Sequence, residues 1–238
     1  MTHDNSISLN KWLSNAGVCS RRQADKLIEA GRVTINGAAA RKGNRVYAGD
    51  HVAFDGEAVK SKKKSIYLAF HKPRGVTCTT DKRDASNIVD YIGFPERIFP
   101  IGRLDKDSTG LILMTNDGDI VNDILRERYG HEKEYLVSVN RPITQEFIQG
   151  MSSGVKILDR VTKPCTVEKK SKGSFRIILT QGLNRQIRRM CKVLGYSVVR
   201  LQRIRIMNIH LGNLPESRWR HLTHQEMLDL RAQIKNQP

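Results

Sequence analysis

Three short segments carry residue types that could do chemistry. Residues 102–111 read Gly-Arg-Leu-Asp-Lys-Asp-Ser-Thr-Gly-Leu, charged and small residues set between two apolar runs. Asp105 in this segment is either a turn residue or a carboxylate held at the edge of a scaffold, where loops often host function. Residues 182–190 read Gly-Leu-Asn-Arg-Gln-Ile-Arg-Arg-Met, a strand end, a glycine turn and a helix start carrying Arg185, Arg188 and Arg189. Cations at a helix N-terminus oppose the helix dipole, so their presence hints at an anion to be bound. The plainer reading leaves Arg185 and Arg189 in solvent while Ile187, Met190 and Val193 face the core. Residues 132–139, Glu-Lys-Glu-Tyr-Leu-Val-Ser-Val, alternate like a strand, and Tyr135 alone would be an ordinary core aromatic.

The elements that must position these segments follow from capping and periodicity. Ser8 is expected to cap a helix with the apolar stripe Leu9, Trp12, Leu13 and Ala16, ended by Gly17. Ser20 with Gln23 forms a capping-box pattern ahead of Ala24, Leu27 and Ile28, and Gly31 stops that helix. Strands at 33–35 and 51–54, with the turn pairs Asn36-Gly37 and Asp55-Gly56, complete a small α+β module. The lysine run at 60–64 reads as a linker, giving domains 1–62 and 63–238. Beyond it, strands are expected at 66–71, 111–115, 135–139, 175–180 and 203–206. Helices are expected at 118–125, at 145–151 after Thr144, at 186–194 before Gly195, and from Thr223 with Glu226 closing a capping box. Strict βαβ alternation is missing, so the fold class is α+β, with a mixed, mainly antiparallel sheet flanked by helices.

The chain has 238 residues, with 41 Lys plus Arg against 24 Asp plus Glu and a formal charge of +17. Thirteen of the basic residues fall between Arg160 and Ile206 against the single acid Glu168, while 104–123 is acid-rich by comparison. Such polarity indicates an electrostatic face for a polyanion. Lys11, Arg21, Arg22 and Lys26 could track a phosphate backbone on the small module's helices. The four cysteines have no paired spacing for zinc or a redox dithiol, and the close pair His221 and His224 has no acidic or thiol companion. No apolar run approaches the ~20 residues that cross a bilayer, and the start of the chain has no leader pattern. No phosphate-cradling glycine loop is present. A cytoplasmic protein without membrane partner, metal or cofactor is expected, with a monomer as the default.

Taken together, the three segments resemble the pseudouridine synthases, in particular the bacterial ribosomal RNA branch named after the small-subunit enzyme (the RsuA family). Residues 99–111 are similar to its Gly-Arg-Leu-Asp active-site motif, Lys133, Glu134 and Tyr135 to its tyrosine motif, and residues 185–189 to its arginine motif. Residues 7 to about 60 resemble the S4-like RNA-binding module that precedes the catalytic domain. The likeness is strongest to large-subunit members, which carry a basic tail beyond the point where this chain ends, so contacts made by such a tail are expected to be absent.

The resemblance implies isomerisation of uridine to pseudouridine in ribosomal RNA, with transfer RNA a second candidate substrate. The reaction breaks the N1 glycosidic bond, turns the uracil and rejoins it through C5, so it needs no cofactor. Glycosidases commonly need two carboxylates; here the leaving base is reused and one can suffice. By resemblance it is Asp105, a nucleophile kept ionised in a dry pocket by a guanidinium, assigned to Arg188 with Arg185 in reserve. Tyr135 is implied to stack on the base and to take part in proton removal, although a phenol is a poor base near neutrality; Leu201 would pack behind its ring. The uridine must be flipped out of its stack. Arg103, Leu104, Lys106, Arg185, Gln186, Ile187 and Arg189 are the expected RNA contacts at the cleft, extended by Lys11, Arg21 and Arg22. The competing readings are a non-catalytic rRNA-binding or ribosome-assembly factor, which has no chemical need for Asp105, Tyr135 and Arg188 together, and a DNA-binding regulator, for which a recognition helix is missing.

Overall fold

The computed structural model describes residues 6–60, 64–126 and 129–235. The chain divides into two compact units, one of residues 1–65 with 116–118 and one of residues 66–115 with 119–238. The middle of the expected lysine linker, and with it the expected boundary between 62 and 63, lies outside the described residues.

In the first unit the order is β1 (Ile7–Ser8), α1 (Leu9–Asn15), α2 (Arg21–Glu29), β2 (Val33–Ile35), β3 (Ala38–Ala39), β4 (Arg45–Val46), β5 (Val52–Phe54) and β6 (Glu57–Ala58). The capping box of α2 forms as expected: the Gln23 amide donates to Ser20 Oγ at 3.2 Å and the Ser20 amide to Gln23 Oε1 at 3.0 Å. Ser8 behaves differently. It stands at the N-cap of α1 but makes no side-chain cap, and its hydroxyl donates to Asn10 Oδ1 while its backbone pairs with Arg45 in β4. Strand pairing thus takes over the task that the sequence assigned to a cap. Asn36 and Asp55 adopt left-handed φ values of 52°, each followed by a glycine near 80°, which closes the two-residue hairpins β2–β3 and β5–β6. Leu9, Leu13, Ala24, Ile28, Val33, Val46 and Val52 form this unit's core. Each fully buried leucine or isoleucine there contributes about 1.5–3 kcal/mol.

The second unit continues with β7 (Tyr67–Lys72), α3 (Ile88–Ile92), β8 (Phe99–Ile101), β9 (Thr109–Thr115), α4 (Gly118–Leu125), β10 (Lys133–Val139), α5 (Gln145–Ser153), β11 (Lys156–Ile157) and β12 (Arg160–Val161). It ends with β13 (Thr166–Ser171), β14 (Ser174–Leu179), α6 (Gln186–Val193), β15 (Val198–Ile206), β16 (Ile209–His210), β17 (Trp219–His221) and α7 (His224–Lys235). Nine of these strands make one mixed sheet in the order β13-β14-β10-β15-β9-β7-β17, with β16 on β15 and β8 on β9. Only β15 and β9 run parallel, and their register is short: Gln202 faces Thr109 and Arg203 faces Gly110.

Every residue of β9 is buried, because both faces of the sheet are covered there. Leu68, Phe70, Ile112 and Met114 pack on one side with Ile88, Phe147, Met151, Ile187 and Met190 from α3, α5 and α6. Ala69, Leu111 and Leu113 pack on the other with Ile120 and Ile124 of α4 and Leu230 of α7. The expected box at α7 forms, with the Glu226 amide donating to Thr223 Oγ1 at 3.1 Å and the Thr223 amide to Glu226 Oε2 at 2.8 Å. Among the described residues no helix is long and apolar enough to cross a membrane.

Across β14, β10 and β15 runs a charge ladder. Buried Glu134 accepts from Arg176 Nε at 2.6 Å and from Arg205 Nε at 2.7 Å, and Arg205 reaches Glu132 at 2.8 Å. The hydrogen bond from Arg176, aided by Arg205, holds the Glu134 carboxyl below its ordinary pKa. An unfolded chain therefore binds this proton at higher pH than the folded one. The stability gained is complete above the unfolded carboxylate range, about 4.3, and is lost as pH falls through the lower folded value. The thermal midpoint should fall on acidification below about pH 4, more steeply in the wild type than in Glu134→Gln. Equal slopes in the two unfolding series would show that the ladder adds no pH-dependent stability.

Candidate active site

The turn between β8 and β9 is fixed from below before it offers anything to solvent. Leu104 is buried and its amide donates to Cys78 Sγ at 3.3 Å. Lys72, fully buried at the end of β7, donates through Nζ to the carbonyls of Pro73 and Val76, both at 2.8 Å, and of Lys106 at 3.4 Å. Burial pushes the Lys72 ammonium down from its ordinary range. The Ser108 amide then closes the turn on the Asp105 carbonyl at 3.0 Å. Gly110 is required where the turn enters β9: its φ is +112°, and a Cβ would sit 2.2 Å from the Arg203 carbonyl oxygen.

The second wall is the start of α6. Its N-cap is Arg185, held at φ 50° and ψ 34° with no side-chain cap. Left-handed backbone is uncommon for a residue with a Cβ and costs on the order of 1 kcal/mol. The observed φ of Gly182, expected to make the glycine turn, is not left-handed, so the sharp turn falls on Arg185 instead. The Gln186 side chain faces back to accept from the Leu183 amide at 3.0 Å.

These walls bring two carboxylates against two guanidinium groups. Arg185 grips Asp107 with two bonds of 3.1 Å, and its Nη1 lies 3.6 Å from Asp105 Oδ2. Arg188 donates to the Asp107 carbonyl at 3.2 Å and to Ser108 Oγ at 3.0 Å, while its Nε lies 3.9 Å from Asp105 Oδ2. That Nε is buried and has no hydrogen-bond partner. The hydrogen bond from Arg185 holds the Asp107 carboxyl below its usual range and raises the guanidinium in turn. Burial pushes Arg188 down from its ordinary value, opposed by Asp107 and Asp105. Asp105 therefore faces two cations without being hydrogen-bonded by either, and the anion hinted at by the arginines of α6 is supplied by the chain itself.

A cleft of about 930 Å³ opens above this cluster, within the range of small-molecule sites. Arg103, Leu104, Asp105, Lys106, Tyr135, Arg185, Gln186, Ile187, Arg188 and Leu201 all line it. Arg103, Lys106 and Arg185 are exposed, whereas Leu104, Gln186 and Ile187 are buried wall residues that can touch only what enters the cleft. Arg189 does not line it; it is exposed and bonds back to Asn184. Lys11, Arg21 and Arg22 belong to the first unit, where both arginines are exposed on α2. Tyr135 is 8% exposed and pairs across the sheet with Arg203, and Leu201 lies two residues away on the same strand, opposite Val137. Asp107, Lys72, Cys78 and Arg203 belong to the site although their residue types and spacing gave them no expected role in it. Only the spacing of Asp105 and Asp107 within one turn was a signal for the first of these.

Residues 66–192 match the RNA pseudouridylate synthase family and residues 8–62 the S4 domain family. The chain is 51% identical over 238 residues to the dual-specificity RNA pseudouridine synthase RluF of Escherichia coli K12, covering 99% of this chain and 82% of that protein. The protein of that name from Salmonella typhi is 53% identical over 232 residues, covering 97% and 80%. A crystal structure of a pseudouridylate synthase superposes with a TM-score of 0.69 at 29% identity, covering 94% of this chain and 100% of the other. The pairing of an S4 domain with this catalytic fold, at half identity over nearly the whole length, leaves no room for a non-catalytic binder or a DNA regulator: the chain belongs to the RNA pseudouridylate synthase family, in its S4-containing RsuA branch, and is a pseudouridine synthase acting on RNA.

Proposed function

We propose that this enzyme isomerises a defined uridine in ribosomal RNA of the large subunit, and a uridine in transfer RNA as well, acting as a cytoplasmic monomer with Asp105 as its nucleophile. The observation that carries the chemistry is Asp105, the one carboxylate among the described residues lining the cleft, 3.6 and 3.9 Å from two guanidinium groups and hydrogen-bonded to neither. A carboxylate so placed faces two positive charges and keeps its lone pairs for the substrate. Arg188 is its positioning partner, and Tyr135 offers a ring on which the flipped base stacks. The N1–C1′ bond breaks, the C5–C1′ bond forms, C5 loses a proton and N1 gains one, so no atom is added and the domains 1–62 and 63–238 supply binding, orientation and the Asp105 carboxylate.

Arg103 and Lys106 at the mouth, with Arg185 and Arg189, suit the phosphates flanking the flipped nucleotide, and Lys11, Arg21 and Arg22 extend the contact through the S4 module. Leu104, Gln186 and Ile187 suit the base itself. The second, transfer RNA substrate rests on the dual specificity named for the relatives at 51–53% identity. Pseudouridine mapping of ribosomal and transfer RNA from a strain lacking the gene tests the proposal. At least one position in each RNA class should be lost and restored by the wild-type gene. An unchanged transfer RNA map would confine the enzyme to the ribosome, and an unchanged ribosomal map would overturn the ribosomal assignment.

A further inference from the structure

Arg203 is 4% exposed, lies in the wall of the cleft and has no carboxylate partner among the described residues. Its neighbour two residues on, Arg205, satisfies itself on Glu134 and Glu132. The difference comes from the register of β15 on β10: Arg205 pairs with Glu134, but after a one-residue irregularity Arg203 pairs with Tyr135. Adjacent residues of β10 point to opposite faces, so the bulge sends the two arginines to opposite sides of the sheet. Arg203 is left on the face of Tyr135. There Nε donates to the Leu111 carbonyl at 2.7 Å and Nη1 to the Arg103 carbonyl at 3.3 Å, which fastens both ends of the turn carrying Asp105. Nη2 is buried with no partner.

A buried donor left unpaired is costly, and a catalytic role is one reason a native protein keeps such a group. Arg203 lines the cleft on the strand paired with Tyr135, the ring proposed to stack on the flipped base, so a base entering the cleft is the group that meets it. Uracil has two strong acceptors, O2 and O4, and both gain negative charge when the electron pair of the N1–C1′ bond moves onto the ring. We propose that Arg203 Nη2 donates a hydrogen bond to one uracil carbonyl oxygen and stabilises the uracil anion as the glycosidic bond breaks. This makes Arg203 a catalytic residue as well as a brace for the Asp105 turn, and it rests on the reading of the cleft as the uridine site.

A chemical double-mutant cycle tests it, using full-length enzyme and RNA carrying uridine, 2-thiouridine or 4-thiouridine at the target, with single-turnover rates as the readout. Wild-type conversion of the uridine RNA checks the underlying reading independently. Arg203→Met should slow the uridine substrate about 100-fold, the scale of losing one donor to a developing oxyanion. A thiocarbonyl is a poor acceptor, so at one of the two positions the penalty for sulfur should be at least about tenfold smaller in Arg203→Met than in wild type. Any effect of sulfur on the leaving group itself cancels in the cycle. If the penalties at both positions are the same in the two enzymes while the wild type converts uridine, Arg203 is a brace only and the inference is overturned. Should Arg203→Met not fold, Arg203→Gln keeps a donor for the Leu111 carbonyl and supports the same cycle.

Discussion

Asp105→Asn is expected to lose single-turnover activity by about ten thousand-fold or more, the scale of removing a nucleophile that works within a set of cooperating groups. The amide has the same shape, so the turn should survive. Asp105 accepts no side-chain hydrogen bond and its side chain is 30% exposed, while Lys72, Cys78 and Ser108 hold the turn through backbone and neighbouring groups. The neutral side chain loses the attraction to Arg185 and Arg188 and the repulsion from Asp107 together, so the thermal midpoint should change little. Release of tritium from RNA labelled at C5 of uridine counts turnover directly, because that hydrogen leaves in the product. A variant that retains a tenth of the wild-type rate would remove Asp105 from the nucleophile's role.

The second large effect is expected at Arg188. Arg185 lies nearer to Asp105, at 3.6 Å against 3.9 Å, yet distance is the weaker criterion here. Both Nη groups of Arg185 are taken by Asp107 and its side chain is 42% exposed, where water screens the attraction. The Arg188 side chain is 13% exposed and its unpartnered Nε is the group nearest Asp105. Arg188→Ala should therefore lower kcat about 100- to 1,000-fold with a small change in KM, since in the proposed assignment the lost attraction orients Asp105 rather than gripping RNA. It also strands Ser108 Oγ and the Asp107 carbonyl. A stability loss of about 1–2 kcal/mol is expected, less than for a fully buried pair because both carboxylates are partly wet. Arg188→Lys should rescue little, as one ammonium cannot serve the turn and the carboxylate together. Arg185→Ala is the control: a kcat loss there as large as at Arg188 would transfer the partner's role to Arg185.

Much of the secondary structure was legible because its causes are local. Ser20 with Gln23, Thr223 with Glu226, Thr144 ahead of α5 and the Asn36-Gly37 turn are each settled within a few residues, and all form as the sequence implied. Strands β8, β13 and β17 and the first half of β15 were not legible. Five of the six residues of β13 are exposed and several are charged, and β17 is only three residues long, so both are strands because β14 and β7 offer edges to pair with. Ser8 failed as a side-chain cap for the same reason, its backbone being drawn into pairing with Arg45.

The residues of the site divide along the same line. The three segments carrying Asp105, Tyr135 and Arg188 pointed to the family and the reaction, because their residues and their order along the chain are readable. Their convergence on one cleft is tertiary: it depends on β15 lying parallel to β9 between Gly110 and Tyr135, a pairing across about a hundred residues. Only the structure decided that Asp107 occupies Arg185 and leaves Asp105 unbonded. It also decided, through one bulge, that Arg205 is neutralised on one face while Arg203 meets the cleft on the other. Register and burial set which of several identical guanidinium groups is solvated, paired or left to meet a substrate, and neither is written in the local sequence.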